Sequence, residues 1–348
     1  MIKLHIGDIV TLPIPSSTLL ASIPHHSLLL FVFADIGTGK VLQAALGASL
    51  ADAFDEEGFS PLENHIASIT GKEAALFCIS GTMANQVALR THLLQPPMGI
   101  LADHRSHILT MEAGGVASLA GAMIQSVIPS NGIHLCVSDV RRCMVFEEDI
   151  YSCPTRVISL ENPHSGAILP LAELQKISTL AKAHDIPIHI DGARLWEAAV
   201  AGAGTLEELC QPADSVSLCF TKGLCAPVGS VLVGSSAFIH KAKKVRKSVG
   251  GAMRQPGIAL AMAAAGLYNV FGRDGTGKGS RLAEGHRVAR ELAEVWTAAG
   301  GELAMPVQTN VVFLDLEAAG ISVEDWEEGG ARRDLRLRGP RIVTHCRK

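Results

Sequence analysis

The sequence predicts an α/β fold: a large domain on a mostly parallel sheet with helices on both faces, then a small α+β domain. Three observations lead there. From about residue 63 to 235, short apolar runs alternate with amphipathic stretches, the pattern of strands buried on both faces and joined by crossover helices. Aromatic residues make up only 4% of the chain, while alanine and glycine are abundant, which suits close helix-on-sheet packing better than a β-sandwich. The 348 residues, 48% hydrophobic and 18% charged, suffice for a large core and two domains.

Taken in order, residues 75–79 read as a strand and 82–90 as the helix after it. Residues 100–102 and 124–128 are further short strands, and 156–160 is another, followed by a helix over 171–184. Strands are expected at 186–190, 215–220 and 229–233. Past Ala237 a basic helix bearing Lys241, Lys243, Lys244, Arg246 and Lys247 leads into Gly250-Gly251. Helices are predicted over 258–270 and 281–298, and a strand over 341–345. The expected division is an atypical segment 1–50, a large cofactor-binding domain 51–240 and a small domain 241–348, the last read as truncated.

Several classes are excluded. A formal charge of −4 gives no basic footprint for nucleic acid. The apolar run 27–34 lacks the basic flank and cleavage site of a signal peptide and is too short to span a bilayer, so no membrane is expected. The glycine-rich stretches 37–40 and 272–278 lack the spacing or the Ser/Thr of a P-loop. Eight cysteines without C-x-x-C pairs argue against zinc or a disulfide framework and for the cytoplasm. No metal site is expected.

The chemistry is concentrated at strand ends. Lys222 closes an apolar run and is followed at once by Gly223. Partial desolvation there favours the neutral amine that a Schiff base with an aldehyde cofactor requires. Asp191, 31 positions earlier, ends another strand, at the edge where α/β sheets bind ligands. A carboxylate of this kind keeps a pyridine nitrogen protonated, so the pair points to pyridoxal 5'-phosphate. Each has a plainer explanation, a surface lysine and a helix N-cap, but together and in this order they point to the cofactor. Ser80-Gly81-Thr82 joins a strand to a helix start suited to a phosphate. Residues 103–108, with His104 and His107, follow the next strand, where an imidazole can stack on the ring, and Glu161 to Gly166 follow the strand 156–160.

These residues carry a resemblance. The chain resembles the low-specificity L-threonine / L-allo-threonine aldolase family of fold-type-I pyridoxal phosphate enzymes, which are aspartate-aminotransferase-like. The resemblance runs from about 52 to 254 and resumes at 309–310 and 341–345. Its most specific pieces are Ser80-Gly-Thr-Met-Ala-Asn-Gln86, His189-Ile-Asp-Gly-Ala-Arg194, Phe220-Thr-Lys-Gly-Leu-Cys-Ala-Pro-Val-Gly-Ser230 and Gly250-Gly-Ala-Met-Arg-Gln255. It implies that Lys222 carries the cofactor, Asp191 pairs with the pyridine nitrogen, His107 stacks on the ring, and Gly81 and Thr82 hold the phosphate. It further implies that Arg194 and Arg341 grip the substrate carboxylate, that His164 lies near the β-hydroxyl, and that Arg254 binds the cofactor, coming from or lying at a neighbouring subunit's interface in a homotetramer or homodimer. His107, His164 or an ordered water would remove the hydroxyl proton. The implied reaction cleaves a β-hydroxy-α-amino acid to glycine and an aldehyde.

The chain departs from the family at its ends. The Arg-Ser-Asp-Thr-x-Thr signature is missing from 1–50, with residues 36–42 in its neighbourhood. The stretch from Trp326 to Arg336 resembles no helix of the family, and only three residues follow His345. Two other readings therefore stand beside the aldolase: an amino-acid racemase or related enzyme of secondary metabolism, and a non-catalytic relative.

Overall fold

The computed structural model describes residues 60–147 and 149–345. The expectations for 1–50, including the runs 27–34 and 36–42, lie outside the described residues. Helix α1 (Pro61–Thr70) starts on a capping box, with Ser60 Oγ accepting from Glu63 N at 3.2 Å and Glu63 Oε2 accepting from Ser60 N at 2.8 Å. The other oxygen of this buried carboxylate accepts from Phe77 N at 2.7 Å. It thereby satisfies a backbone donor of strand β1 (Ala74–Cys78), which lies at the edge of the sheet.

Helix α2 (Gly81–His92), β2 (Gly99–Asp103), a short helix His107–Thr110, β3 (Met123–Val127) and β4 (Thr155–Glu161) follow. After them come α3 (Leu171–Lys182), β5 (Ile188–Gly192), α4 (Leu195–Val200), β6 (Ser215–Cys219), β7 (Ser230–Gly234), α5 (Ser236–Ser248) and α6 (Gly257–Gly266). Among the described residues, the large sheet has seven strands in the order β1-β7-β6-β5-β4-β2-β3. β2 to β6 pair in parallel, and β7 runs against both of its neighbours. Strands β1, β2, β5, β6 and β7 are buried at every position; β1, β2 and β7 are mostly apolar along their length, whereas β5 and β6 bury His189, Ser215 and Ser217 among their apolar residues. From β2 the chain moves outward to β3, then returns to β4 on the other side of β2. That reversal makes the crevice beyond the C-terminal ends of β2 and β4 the natural ligand position of the sheet.

The described residues form two compact units, 60–164 with 168–280, and 165–167 with 281–345. The boundary expected near 240 therefore shifts to 280/281, and the reason is apolar packing. Ile239 and Ala242 of α5 join Leu76, Val87 and Leu232 in one buried cluster. Arg246 Nη1 donates to Phe77 O at 2.5 Å, and Phe271 meets Trp196 edge-on at 5.0 Å. The basic face of α5 drew attention to its solvent side and away from the stripe that docks it.

In the smaller unit, α7 (Leu282–Ala298) precedes β8 (Glu302–Leu303), β9 (Val311–Asp315), α8 (Val323–Ala331) and β10 (Arg341–Val343). The strands form an antiparallel sheet in the order β10-β9-β8. Trp296 and Trp326 meet edge to face at 6.0 Å, and each indole N–H donates to a backbone carbonyl, Glu302 O at 2.7 Å and Gly339 O at 3.0 Å. The stretch around Trp326 that resembled no helix of the family is helical: Ser322 Oγ accepts from Asp325 N at 3.0 Å as an N-cap. Gly329-Gly330 hid it, since glycine disfavours a helix interior, yet a Cβ on Gly330 would stand 2.6 Å from Leu337 Cγ. No helix among the described residues is long and apolar enough to cross a membrane.

Candidate active site

The strand ends gather polar groups because the strands themselves spend their side chains on the core. Strand β5 delivers Asp191 and β6 lies beside it in parallel register, pairing His189 with Ser215 and Asp191 with Ser217. Three residues past β6, Lys222 is half-buried. Its loop is closed by Cys225 N donating to Lys222 O and Ala226 N donating to Phe220 O, both at 3.0 Å. Cys225 adopts φ 60°, a left-handed conformation that a non-glycine residue holds only where its surroundings impose it.

Asp191 is buried, and its two hydrogen bonds come from neutral donors: Asn85 Nδ2 to Oδ2 at 2.7 Å and Ala193 N to Oδ1 at 3.0 Å. Burial, reinforced by the nearby Glu161 carboxylate, pushes its pKa up to about 6. Asn85 Nδ2 also donates to Glu112 Oε1 at 2.9 Å, and Gln86 Nε2 donates to Glu112 Oε2 at 2.6 Å. Glu112 in turn meets His107 Nδ1 at 2.8 Å. This hydrogen bond raises the His107 pKa against the opposing effect of burial. One oxygen or nitrogen from each of His107, Glu112 and Asp191 falls within 4.8 Å of the others.

On the other side of His107, its backbone N donates to Glu161 Oε2 at 3.1 Å, and the same oxygen lies 3.3 Å from His164 Nδ1. His164 is buried; its Nδ1 faces Glu161 without hydrogen-bond geometry, and its Nε2 makes no hydrogen bond, which leaves Nε2 open to a partner. Asp103, Ser159, Glu161 and His164 line a small, partly open cleft at the β2/β4 crevice. Gly81 opens α2, where Ser80 Oγ accepts from Met83 N at 3.1 Å. A Cβ on Gly81 would stand 2.7 Å from Cys219 Sγ, so this turn admits only glycine without movement. Thr82 is exposed beside it. The Arg194 Nε is buried without a hydrogen-bond partner. Burial and the Asp191 charge push the Cys219 thiol up to about 11, with Lys222 and Arg194 acting in the opposite sense.

The structure thus joins Asp191, His107 and His164 through Asn85, Glu112 and Glu161, and sets Gly81 against Cys219. Arg254 is exposed in the loop after α5, and Arg341 opens β10 of the smaller unit. Glu112 escaped the sequence reading, since it lies in the bend after the short helix His107–Thr110, where no helical spacing ties it to His107. Asn85 and Gln86 stood inside a quoted motif without a role. Glu112→Gln is expected to move the His107 titration to lower pH, because the hydrogen bond that favours the imidazolium loses its charge. Histidine NMR across pH 5–9 checks this, and a titration that stays in place would mean that Glu112 does not control the ring.

A family profile described as Beta-eliminating lyase matches residues 34–319. The chain is 48% identical to Aldolase vrtJ of Penicillium aethiopicum, over 82% of this chain and 72% of that one. It is 40% identical to Alanine racemase TOXG of Cochliobolus carbonum (88% and 79%) and 44% identical to the low-specificity L-threonine aldolase of Candida albicans (84% and 76%). Among solved structures, the threonine aldolase of Leishmania major has the same fold, with a TM-score of 0.68 over 88% of this chain and 89% of that one at 20% identity.

Proposed function

Since the chain belongs to the beta-eliminating lyase family, we propose that it is a pyridoxal-phosphate-dependent aldolase acting on L-threonine and L-allo-threonine. The products are glycine and acetaldehyde. The observation that carries this reading is Asp191, a buried carboxylate hydrogen-bonded only by neutral groups. It has an unmet demand for a cation, which a protonated pyridine nitrogen satisfies. When bound, pyridoxal phosphate supplies an electron sink for the pair released at Cα.

This chain's own residues do the rest. Lys222 would hold the cofactor through its amine, and the first N–H groups of α2 at Gly81 and Thr82 would receive its phosphate. The buried guanidinium edge of Arg194 is suited to a substrate carboxylate, which orients the amino acid so that one bond at Cα is aligned for cleavage. The resemblance gives Arg341 the same task. His107 or His164, or a water held by them, takes the β-hydroxyl proton, with Glu161 beside the His164 ring and Glu112 beside the His107 ring; such a base is worth ~10²–10⁴-fold. The Candida albicans relative supports the substrate class.

The alanine racemase relative favours a second reading, in which the same residues exchange the Cα proton instead of releasing an aldehyde. We further propose a cytoplasmic homotetramer or homodimer with Arg254 at the subunit boundary. The deciding experiment adds pyridoxal phosphate to the purified protein, records its absorbance, then adds L-allo-threonine and assays acetaldehyde. An imine band with acetaldehyde release is expected. A band without acetaldehyde, together with D-alanine formed from L-alanine, would replace the aldolase by the racemase. No band at all would overturn both.

A further inference from the structure

Behind Asp191 lies a row of buried polar side chains that the reaction itself does not use. Asn85 Oδ1 accepts from Ser217 Oγ at 2.8 Å and meets His189 Nε2 at 3.1 Å. His189 Nδ1 meets Ser215 Oγ at 2.9 Å, and Ser215 Oγ meets His92 Nε2 at 2.8 Å. All but His92 are among the most buried residues of the chain, at 1% exposure or less. A carbonyl oxygen only accepts, so His189 Nε2 must carry its proton. Burial and the neighbouring His92 hold the His189 pKa at about 3, so the ring is neutral and its Nδ1 accepts from Ser215. His92 then donates to the same hydroxyl. The whole row therefore has one polarity, and it ends on the amide of Asn85.

The spacing explains how the row is built. Asn85 and His92 are seven residues apart on α2 and share a helix face, while the pairs His189/Ser215 and Asp191/Ser217 stand directly opposite on adjacent strands. With two donors on its oxygen, the Asn85 amide cannot flip, and its nitrogen faces the Asp191 and Glu112 carboxylates at 2.7 and 2.9 Å.

We propose that Asn85 is a positioning residue that clasps the two carboxylates of the site from one nitrogen, with Ser217 and His189 fixing the direction it faces. This rests on the reading of Asp191 and His107 as the cofactor-contacting pair. Through Asp191 it aims a carboxylate at the ring nitrogen, and through Glu112 it sets the ring of His107. The groups whose charge bears on Asp191 are Glu161 at the end of β4, His107 and Glu112 on the segment after β2, and Cys219 at the end of β6, with Lys222 and Arg194 close enough to act on Cys219.

The test has two readouts. In the full-length protein freed of cofactor, thermal stability is measured from pH 4.5 to 8. Asn85→Ala is expected to move the midpoint of the Asp191-dependent fall in stability upward by about one pH unit, since a hydrogen bond to the charged form is lost. The shift should vanish in an Asp191→Asn background. In the second readout, the dissociation constant for pyridoxal phosphate should rise about 10- to 100-fold, the worth of a hydrogen bond to a charged group. Ser217→Ala removes one of the two locks and should shift both readouts in the same direction by less, with Ser217→Thr restoring them. This milder variant decides the matter if Asn85→Ala does not fold. Wild-type values in both readouts, or a midpoint shift of undiminished size in the Asp191→Asn background, would overturn the proposal. The first readout needs no cofactor, so a shifted midpoint in a protein that binds no pyridoxal phosphate would support the clasp and remove only the cofactor reading.

Discussion

Lys222→Ala is expected to abolish the near-visible absorbance that the wild type acquires with pyridoxal phosphate, and to slow cleavage by at least ~10³-fold, as removal of a covalent catalytic group does. The loop should survive the change. Its shape comes from backbone bonds, Cys225 N to Lys222 O and Ala226 N to Phe220 O, and alanine keeps all of them. Leu224 and Ala226 are buried on its inner side, and the substitution leaves their packing in place. The loss should therefore be one of chemistry, with far-UV circular dichroism and melting temperature close to wild type. Lys222→Arg sharpens the point, because it preserves charge and length but cannot form the imine. A variant of either kind that keeps both the band and the rate would remove Lys222 from the site.

The sequence made this lysine conspicuous for a physical reason. A parallel sheet buried on both faces leaves its strands apolar, so any charge at a strand end stands out. Strands β1, β2 and β4 to β7 and helices α2, α3 and α7 were legible on that contrast, and it is what made Asp191 and Lys222 candidates. Other features depend on partners far along the chain. Glu63 looks like an ordinary helix-start acid until Phe77 N is seen to need its second oxygen. Glu112 acquires meaning from Asn85, 27 positions away, and Asn85 from Ser217, 132 positions away. Neutral amides and hydroxyls give no charge pattern or period to read, so the polar row between α2 and β5–β6 is invisible in one dimension. Helix α8 was missed because its glycines contradict propensity and are tolerated for close packing against Leu337. The boundary near 240 was misplaced because the charges of α5 were easier to see than Ile239 and Ala242.

Asp191→Asn should separate stability from function. The folded protein holds this carboxyl at about 6, above the ordinary aspartate value of 3.8, so the native state binds the proton more tightly than the unfolded chain does. Without cofactor, stability should fall as pH rises from about 4 to about 6 and remain lower above it, by on the order of a few kcal/mol at ~1.4 kcal/mol per unit. Asparagine has nearly the same shape and carries no charge to bury; its single oxygen keeps the bond from Asn85 Nδ2 and gives up the one from Ala193 N, a loss of about 1 kcal/mol that is smaller than the cost of the buried charge. At pH 7.5 the cofactor-free variant should therefore melt higher than the wild type, and its stability should lose most of this pH dependence. Activity should move the other way. A neutral amide does not favour a protonated ring nitrogen, and losing that electrostatic support should cost ~10²–10³-fold in turnover, with weaker cofactor retention. A residue kept for the fold would lose stability on replacement. One that destabilises the empty protein and is indispensable when the site is filled is held for its chemistry. Scanning calorimetry of the cofactor-free proteins and a steady-state acetaldehyde assay of the loaded ones measure the two sides. An Asp191→Asn protein that melts lower yet turns over at the wild-type rate would make Asp191 a structural cap and dismantle the site as assembled here.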